Sequence, residues 1–294
     1  MDKILLIGLG AQKSGTTWMH MSLSRSPEYD PWFSGEWKIW KLYCRPTRKA
    51  RNLSRMSSHK EIRCADRHVR KEKPVTWQKR MEIANNLDTA IADKFSDFSQ
   101  RSSRKVLADL TPANGQLTSD DLKKIVQLGH RHSLKPKFVF RMRDPLARVT
   151  SGTAQMLKRR ALEQGEDYYK FMREADPNSF LRDPANWETI LRRTDYEKTI
   201  KSVRAIADQD NILNLFVEDD GFTQNGIDRI SRFLGIQPVS ALSWVSNSSA
   251  VKIELDEETQ KWVVNQLRPV YEFVRQEFGP KIDRLWQDSM RLLD

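Results

Sequence analysis

The stretch that decides the fold is GAQKSGTTW, residues 10–18, which follows the apolar run KILLIGL, residues 3–9. A continuous apolar run that ends near a glycine is typical of a strand buried on both faces of a parallel sheet. The residues from Thr16 onward predict a helix, which Pro27 closes. A glycine-containing turn between a strand and a helix presents backbone N–H groups at the positive end of the helix dipole. This stretch therefore predicts an anion-binding loop.

The rest of the chain alternates predicted strands with predicted helices. Apolar runs predict further strands at 106–108, 137–142 and 212–217. Helical periodicity predicts helices at 77–98, after 118, and at 146–162, 196–207, 227–234 and 257–278. This alternation predicts an α/β fold with a P-loop-like, doubly wound parallel sheet flanked by helices, and ligands of such sheets bind beyond the carboxyl ends of the strands. We expect one domain, 1–294, with a basic and helical excursion at 41–104.

Composition indicates a folded, soluble protein. Of the 294 residues 38% are apolar and 30% are charged, but nine Trp and twelve Phe argue against disorder. The apolar run 4–9 is too short for a signal-peptide core, and no stretch approaches the roughly 20 apolar residues of a membrane span. Cys44 and Cys64 have no zinc-site spacing, so a reduced cytoplasmic setting is the default expectation, while a disulfide between them stays open.

The position of the lysine in the loop is chemically informative. In the nucleotide-triphosphate loop GxxxxGK[ST] the lysine follows the last glycine and the next hydroxyl holds Mg²⁺, whereas Lys13 precedes Gly15. A phosphoryl group carries dense charge that Mg²⁺ largely neutralises. A transferring sulfuryl group (SO₃) is neutral, so a lysine and backbone amides suffice for it and no metal is expected. The alternatives are a P-loop kinase that uses ATP and Mg²⁺, with Asp109 as a Walker-B-like aspartate, or a turn without a ligand.

Two distant motifs carry a family resemblance. KSGTTW, residues 13–18, resembles the 5′-phosphosulfate loop of sulfotransferases that use 3′-phosphoadenylyl sulfate (PAPS). RDPLARVTS, residues 143–151, resembles the R-[DN]-P-x-x-R-x-x-S element of the same family. The motifs occur in the family order, each at a predicted strand-to-helix turn. The resemblance implies a soluble, bacterial-like enzyme with PAPS as donor and 3′,5′-ADP (PAP) as product.

The resemblance also implies roles for individual residues. Lys13 contacts the bridging oxygen of the donor and stabilises charge on the leaving phosphate. The residues that bind the 5′-phosphate are Ser14, Gly15, Thr16 and Thr17. Arg143 and Ser151 bind the 3′-phosphate, and Arg148 orients their turn. Trp18 lies near the adenine ring, although a helix-core position for Trp18 and an ordinary surface charge for Arg143 remain the structural alternatives.

The candidate base lies in GEWKIW, residues 35–40. This stretch resembles the E-x-[HK]-[FY]-[FW] element of glycan-type and bacterial sulfotransferases, in which the glutamate is the general base. The resemblance implies that Glu36 is the base and that Lys38 contacts the sulfuryl group. The K-T-H-type motif that supplies a histidine base in the cytosolic small-molecule branch is not found. The alternative is that Glu36 is a helix-start carboxylate favoured by the helix dipole.

A weaker match is ADLTPAN, residues 108–114, which resembles the family's E-K-[ST]-P-x-Y stretch on the acceptor side. Leu110 and Asn114 replace the usual lysine and tyrosine, so acceptor contacts are not inherited from the family. Tyr196 and the stretches 217–219 and 232–236 resemble framework elements of the nucleotide-binding half.

The net charge of +11 is concentrated in one segment. Residues 41–80 contain fourteen Lys and Arg against three acidic residues. Such a segment attracts an anionic acceptor or the multiply anionic donor, or it is a solvated excursion. A non-catalytic polyanion-binding protein is a further alternative, although no RNA- or DNA-binding signature accompanies the charge. We expect a small-molecule or glycan acceptor, with no membrane partner and nucleic acid unlikely as a partner.

Overall fold

A five-stranded parallel sheet forms the centre of the protein. This computed structural model describes residues 2–32, 39–44, 83, 85–101, 103–243 and 251–293. The strands are β1 (Lys3–Gly8), β2 (Tyr29–Pro31), β3 (Val106–Asp109), β4 (Leu134–Met142) and β5 (Ile212–Phe216). They lie in the order β2-β3-β1-β4-β5, and every neighbouring pair is parallel. The predicted α/β class with a doubly wound parallel sheet is confirmed.

Helices connect the strands and pack against both faces of the sheet. The described α-helices are α1 (Thr16–Leu23), α2 (Ile39–Cys44), α3 (Leu87–Gln100), α4 (Ser119–Arg131), α5 (Pro145–Gln164), α6 (Tyr168–Glu174), α7 (Pro177–Arg182), α8 (Pro184–Thr194), α9 (Tyr196–Arg204), α10 (Val217–Asp220), α11 (Gln224–Leu234), α12 (Glu257–Gln266), α13 (Arg268–Phe278), α14 (Lys281–Leu285) and α15 (Gln287–Met290). In this described part of the chain, none of the helices combines the length and the apolar character of a membrane span.

The central strand β1 is buried on both faces, as its apolar sequence predicts. Leu5 and Ile7 belong to one core cluster, which includes residues of α3, α4, α9 and α13. Ile4 and Leu6 belong to a second cluster, which includes residues of α1 and α11. Because successive side chains of a strand point to opposite faces, a strand covered on both sides reads as a continuous apolar run.

The strand register brings the carboxyl ends of the strands to one edge of the sheet. Ile7 of β1 is paired with Asp109, the last residue of β3, and Gly8 is paired with Val139 of β4. The last residues of β4 and β5, Met142 and Phe216, are paired with each other. The segments that follow β1, β3, β4 and β5 therefore start along the same edge.

Several elements differ from the sequence prediction. The edge strand β2 and the helices between residues 168 and 194 were not predicted. The helix predicted at 257–278 is two helices that meet at Leu267, with Pro269 in the first turn of the second. Proline has no N–H for a continuous helix and is tolerated in a first turn, so one helix ends there and another begins. The strand predicted at 212–217 ends at Phe216, where a short helix starts.

Candidate functional site

The loop of residues 10–15, here called the anion loop, folds back on the end of β4. The N–H of Ala11 donates to the carbonyl of Arg141 at 2.7 Å, and the N–H of Arg141 donates to the carbonyl of Gly10 at 2.8 Å. Gly10, Lys13 and Gly15 have φ angles of 94°, 71° and 73°. Glycine adopts such angles readily, whereas a lysine there is uncommon and is found mainly where structure around it imposes the conformation. The loop is a tight, specifically shaped turn.

The first turn of α1 follows this loop directly. Gly15 precedes the helix without a side-chain cap, and the first helical hydrogen bond is from the Met19 N–H to the Gly15 carbonyl at 3.1 Å. The N–H groups of residues 16–18 come before that bond and lie at the positive end of the helix. The hydroxyl oxygen of Ser14 is buried and has no hydrogen-bond partner among the described residues. A phosphate oxygen would satisfy the Ser14 hydroxyl, and the positive end of α1 attracts an anion, so the loop fits a phosphate-type ligand.

The second motif meets the first at the edge of the sheet. The guanidinium of Arg143, one residue beyond β4, donates through Nη1 to the carbonyl of Lys13 at 3.1 Å. The hydroxyl of Tyr196 donates to the carbonyl of Arg143 at 2.8 Å. Ser151 lies in the second turn of α5 and is partly buried. The two sequence motifs, which are 130 residues apart, are thus in direct contact.

Arg148 lies between helices and does not reach the anion loop through any described hydrogen bond. Its side chain is fully buried, and Nη2 donates to the carbonyl of Ile190 in α8 at 3.3 Å. Nε and Nη1 have no partner among the described residues. Burial lowers the pKa of Arg148 to about 10. Its described contact joins α5 to α8 behind the turn.

Trp18 occupies a core position. Its side chain is only 1% exposed, and the indole N–H donates to the carbonyl of Leu242 at 2.9 Å. The ring packs edge to face against Phe222, with centroids 5.4 Å apart. Phe222 is 38% exposed and lies so close to Gly15 that a Cβ there would come within 2.5 Å of its ring. Of these two rings, that of Phe222 is the one exposed to solvent. The sequence did not indicate Phe222 as a site residue, because no periodic pattern includes it.

A buried arginine lies behind the anion loop. Arg141 is 2% exposed, and its guanidinium donates to the carbonyl of Gly15 at 3.4 Å and to the carbonyl of Gly221. It also lies 5.3 Å and 5.1 Å from the ring centroids of Trp18 and Phe222. Burial lowers the pKa of Arg141 to about 10, so it is still a cation at neutral pH. The signal in the sequence was a charged residue within an otherwise buried strand.

Gln12 of the anion loop is part of a polar cluster with Arg193 and Gln155. Arg193, at the end of α8, donates to the side-chain oxygen of Gln12 at 2.9 Å. The amide nitrogen of Gln12 is 3.2 Å from the side-chain oxygen of Gln155 in α5. These contacts connect the anion loop to α5 and α8, which the two sequence motifs did not predict.

The turn after β3 is built around Asp109. Its carboxylate accepts hydrogen bonds from the Thr111 N–H at 3.0 Å, the Thr111 hydroxyl at 2.5 Å and the Asn114 amide at 3.2 Å. These bonds account for the sequence DLTPAN as a structural turn. Among the described residues, no group of three or more His, Cys, Asp and Glu side chains is arranged to hold a metal ion.

The candidate base and its neighbour, Glu36 and Lys38, lie outside the described residues, as do Cys64 and almost all of the basic segment 41–80. The residues that flank the range 33–38 are described. The N–H of Trp32 donates to the carbonyl of Ala108 at 2.9 Å, and the Trp32 ring packs edge to face on Trp40 with centroids 4.9 Å apart.

Comparison with known proteins identifies the fold. A sulfotransferase from Alicyclobacillus acidocaldarius superposes with a TM-score of 0.55 at 12% identity, covering 98% of this chain and 97% of the other. The sulfotransferase domain of the Synechococcus PCC 7002 olefin synthase gives a TM-score of 0.47 at 16% identity, with coverage of 80% and 74%. The sulfotransferase domain of the curacin biosynthetic pathway gives 0.42 at 12% identity, with coverage of 91% and 98%. No family model and no curated protein sequence matches the chain.

Proposed function

We propose that this protein is a PAPS-dependent sulfotransferase that moves a sulfuryl group to a hydroxyl or amine of a small-molecule or glycan acceptor. The contact between the Arg143 guanidinium and the Lys13 carbonyl, 3.1 Å long, carries the proposal. The 5′- and 3′-phosphates of PAPS belong to one ribose, so the residues that bind them must lie in one site. The fold shared with the Alicyclobacillus acidocaldarius sulfotransferase supports the same conclusion.

The anion loop is suited to the 5′-phosphosulfate end of the donor. The Ser14 hydroxyl and the backbone amides at the start of α1 are donors for the 5′-phosphate oxygens, and Thr16 and Thr17 add hydroxyls at the first turn of α1. The buried Arg141 cation behind Gly15 adds positive potential where the phosphate lies. Arg143 and Ser151 receive the 3′-phosphate, for which the planar guanidinium provides bidentate geometry. The exposed ring of Phe222 borders the same loop.

The transfer is an in-line displacement at sulfur. The acceptor oxygen or nitrogen forms a bond to sulfur while the bond from sulfur to the bridging oxygen breaks, and the electron pair stays on the oxygen of PAP. Lys13 donates a hydrogen bond to that oxygen and stabilises its developing charge. The proton of the acceptor passes to the carboxylate of Glu36, and Lys38 contacts the sulfuryl oxygens. Because the transferring group is neutral, these cations and amides replace the Mg²⁺ that phosphoryl transfer needs.

The resemblance of residues 35–40 to the family element supports Glu36 as the base. The N–H of Trp32 donates to the carbonyl of Ala108 near the end of β3, at the same edge of the sheet as the anion loop, and Trp40 packs on Trp32. Trp32 and Trp40, the described residues on either side of the range that contains Glu36, are therefore in contact with each other.

Isothermal titration calorimetry tests the donor. We expect PAP to bind in the presence of EDTA and to bind more tightly than 5′-AMP, which lacks the 3′-phosphate. ADP that binds only with Mg²⁺, with no preference for a 3′-phosphate, would instead support a kinase, since Asp109 would then hold the metal. Steeply salt-dependent binding of DNA or RNA without sulfuryl transfer would support a polyanion-binding protein.

A product screen tests the reaction. PAPS is incubated with the protein and pools of hydroxylated, aminated and glycan acceptors, and mass spectrometry detects products heavier by one SO₃ group. Glu36→Gln should abolish the product while PAP still binds. Glu174→Gln, an exposed carboxylate on α6, is the matched control and should retain full activity.

A further inference from the structure

Three hydroxyl groups from distant parts of the chain converge on residues 143–145, here called the RDP turn. The Tyr196 hydroxyl donates to the carbonyl of Arg143 at 2.8 Å. The Tyr271 hydroxyl of α13 donates to Oδ1 of Asp144 at 2.7 Å, and the Ser289 hydroxyl of α15 donates to Oδ2 at 2.6 Å. The turn at the tip of β4 is therefore held by the last helices of the chain.

The backbone of the RDP turn is held as well. The N–H of Asp144 donates to Oε1 of Glu218 at 3.0 Å, and Oε2 of Glu218 accepts from the Trp286 indole at 3.1 Å. Asp144 also caps α5 by accepting from the Leu146 N–H at 3.2 Å. Burial raises the pKa of Asp144 and of Glu218, while their hydrogen bonds act in the opposite direction. The carbonyl of Arg143 and the N–H and carboxylate of Asp144 therefore all have hydrogen-bond partners.

These contacts fix the starting direction of the Arg143 side chain. Its guanidinium then needs to reach only the Lys13 carbonyl, where the two motifs meet. Neither Tyr271 nor Ser289 has a described contact with the anion loop, so any effect on a nucleotide must pass through the turn. A side chain that is ordered before binding loses less conformational entropy when it binds a ligand.

We infer that Tyr271 and Ser289 are positioning residues that give the site its selectivity for a 3′-phosphate. The inference rests on the proposed function. When their hydroxyls are removed, the RDP turn becomes less ordered and Arg143 binds the 3′-phosphate more weakly. The binding of the 5′-phosphate by the anion loop is unchanged. The loss should therefore appear for PAP and not for 5′-AMP.

The test compares the affinities of PAP and 5′-AMP in wild type, Tyr271→Phe, Ser289→Ala and the double variant. We expect each single variant to weaken PAP binding roughly fivefold or more and the double variant further, with 5′-AMP within about twofold of wild type. The matched control is Tyr29→Phe, because the Tyr29 hydroxyl is also buried and hydrogen-bonded, to His20 at 2.8 Å, but lies at β2. This control should leave the ratio of the two affinities unchanged.

A conservative substitution of Asp144 should preserve the selectivity for PAP. In Asp144→Asn the remaining side-chain oxygen still accepts from Tyr271 and Leu146, and the Ser289 hydroxyl can accept from the new amide. The affinity ratio should stay within about threefold of wild type, whereas Asp144→Ala should lose as much selectivity as the double variant.

A measurement on the wild-type protein keeps the test independent of variant folding. In hydrogen–deuterium exchange, PAP should protect the amides of residues 268–290 more strongly than 5′-AMP at equal saturation, since coupling between sites is reciprocal. Equal protection, equal losses for both ligands or an unchanged ratio in the double variant would overturn the inference. A wild type without preference for PAP would overturn the proposed function itself, and the inference with it.

Discussion

The anion loop and the RDP turn lie side by side but are built in different ways. The anion loop is shaped by its own residues, with left-handed backbone at Gly10, Lys13 and Gly15, and by the neighbouring strand. The RDP turn is shaped by partners 53 to 145 residues away in sequence. A site for one nucleotide thus combines a half whose backbone conformation is encoded in its own residues with a half whose turn is held by side chains from distant parts of the chain. Changes in the two halves should have different signatures.

The largest effect should come from Gly15→Ala, which breaks the local half. A side chain at φ 73° is strained, and the new Cβ would lie 2.5 Å from Phe222 and 3.1 Å from the Arg141 guanidinium. We expect the free energy of unfolding to fall by about 1–3 kcal/mol and PAP and 5′-AMP binding to be lost together. Urea denaturation and calorimetry measure the two effects.

Gly165→Ala is the matched control for that change. Gly165 ends α5 with φ 71°, and a Cβ added there would meet no other atom within 4 Å. The substitution carries the backbone strain without the contacts, so it should lower stability by only about 1 kcal/mol and leave binding intact. Equal effects of the two substitutions would mean that packing against Phe222 and Arg141 does not shape the loop.

Ser14→Ala should affect binding without affecting stability. The Ser14 hydroxyl makes no hydrogen bond to the described residues, so its loss costs the unliganded protein nothing, whereas Ser289→Ala breaks a buried bond to Asp144. We expect PAP and 5′-AMP to bind roughly tenfold more weakly to Ser14→Ala, by equal factors, with an unchanged melting temperature. A lower melting temperature would mean that the Ser14 hydroxyl stabilises the unliganded protein. Weaker binding of PAP alone would mean that it contacts the 3′-phosphate.

The smallest effect concerns the pH dependence of stability. Burial raises the folded-state pKa of Asp144, so between the unfolded value, about 3.9, and the folded value the folded protein binds more protons than the unfolded chain. The contribution of Asp144 to the free energy of unfolding is fully present below its unfolded-state pKa and is lost as the pH rises through its folded-state pKa. Asp144→Asn removes this titration and should flatten the decline in the free energy of unfolding that urea unfolding measures as the pH rises above about 4. An identical slope in the variant would contradict the assigned pKa shift.

The same contrast explains how far the sequence could predict the structure. The run at 3–9, the glycines of the anion loop and the Asp-Pro start of α5 are local signals, and each predicted its element. Tyr271 and Ser289 carry no local signal, because their contacts with Asp144 span 127 and 145 residues. The three-residue strand Tyr29–Pro31 is too short to show an alternating pattern. Phe222 became recognisable only when folding placed it against Gly15, whereas Arg141 had one local signal, a charge within an apolar strand.

Arg143→Ala tests most directly whether one nucleotide bridges the anion loop and the RDP turn. We predict that wild type prefers PAP over 5′-AMP and that the variant loses this preference, because PAP affinity falls by roughly 10- to 100-fold while 5′-AMP affinity is unchanged. Arg173→Ala, an exposed arginine of α6, is the control and should retain wild-type affinities. A variant that still distinguishes PAP from 5′-AMP as wild type does would contradict the account.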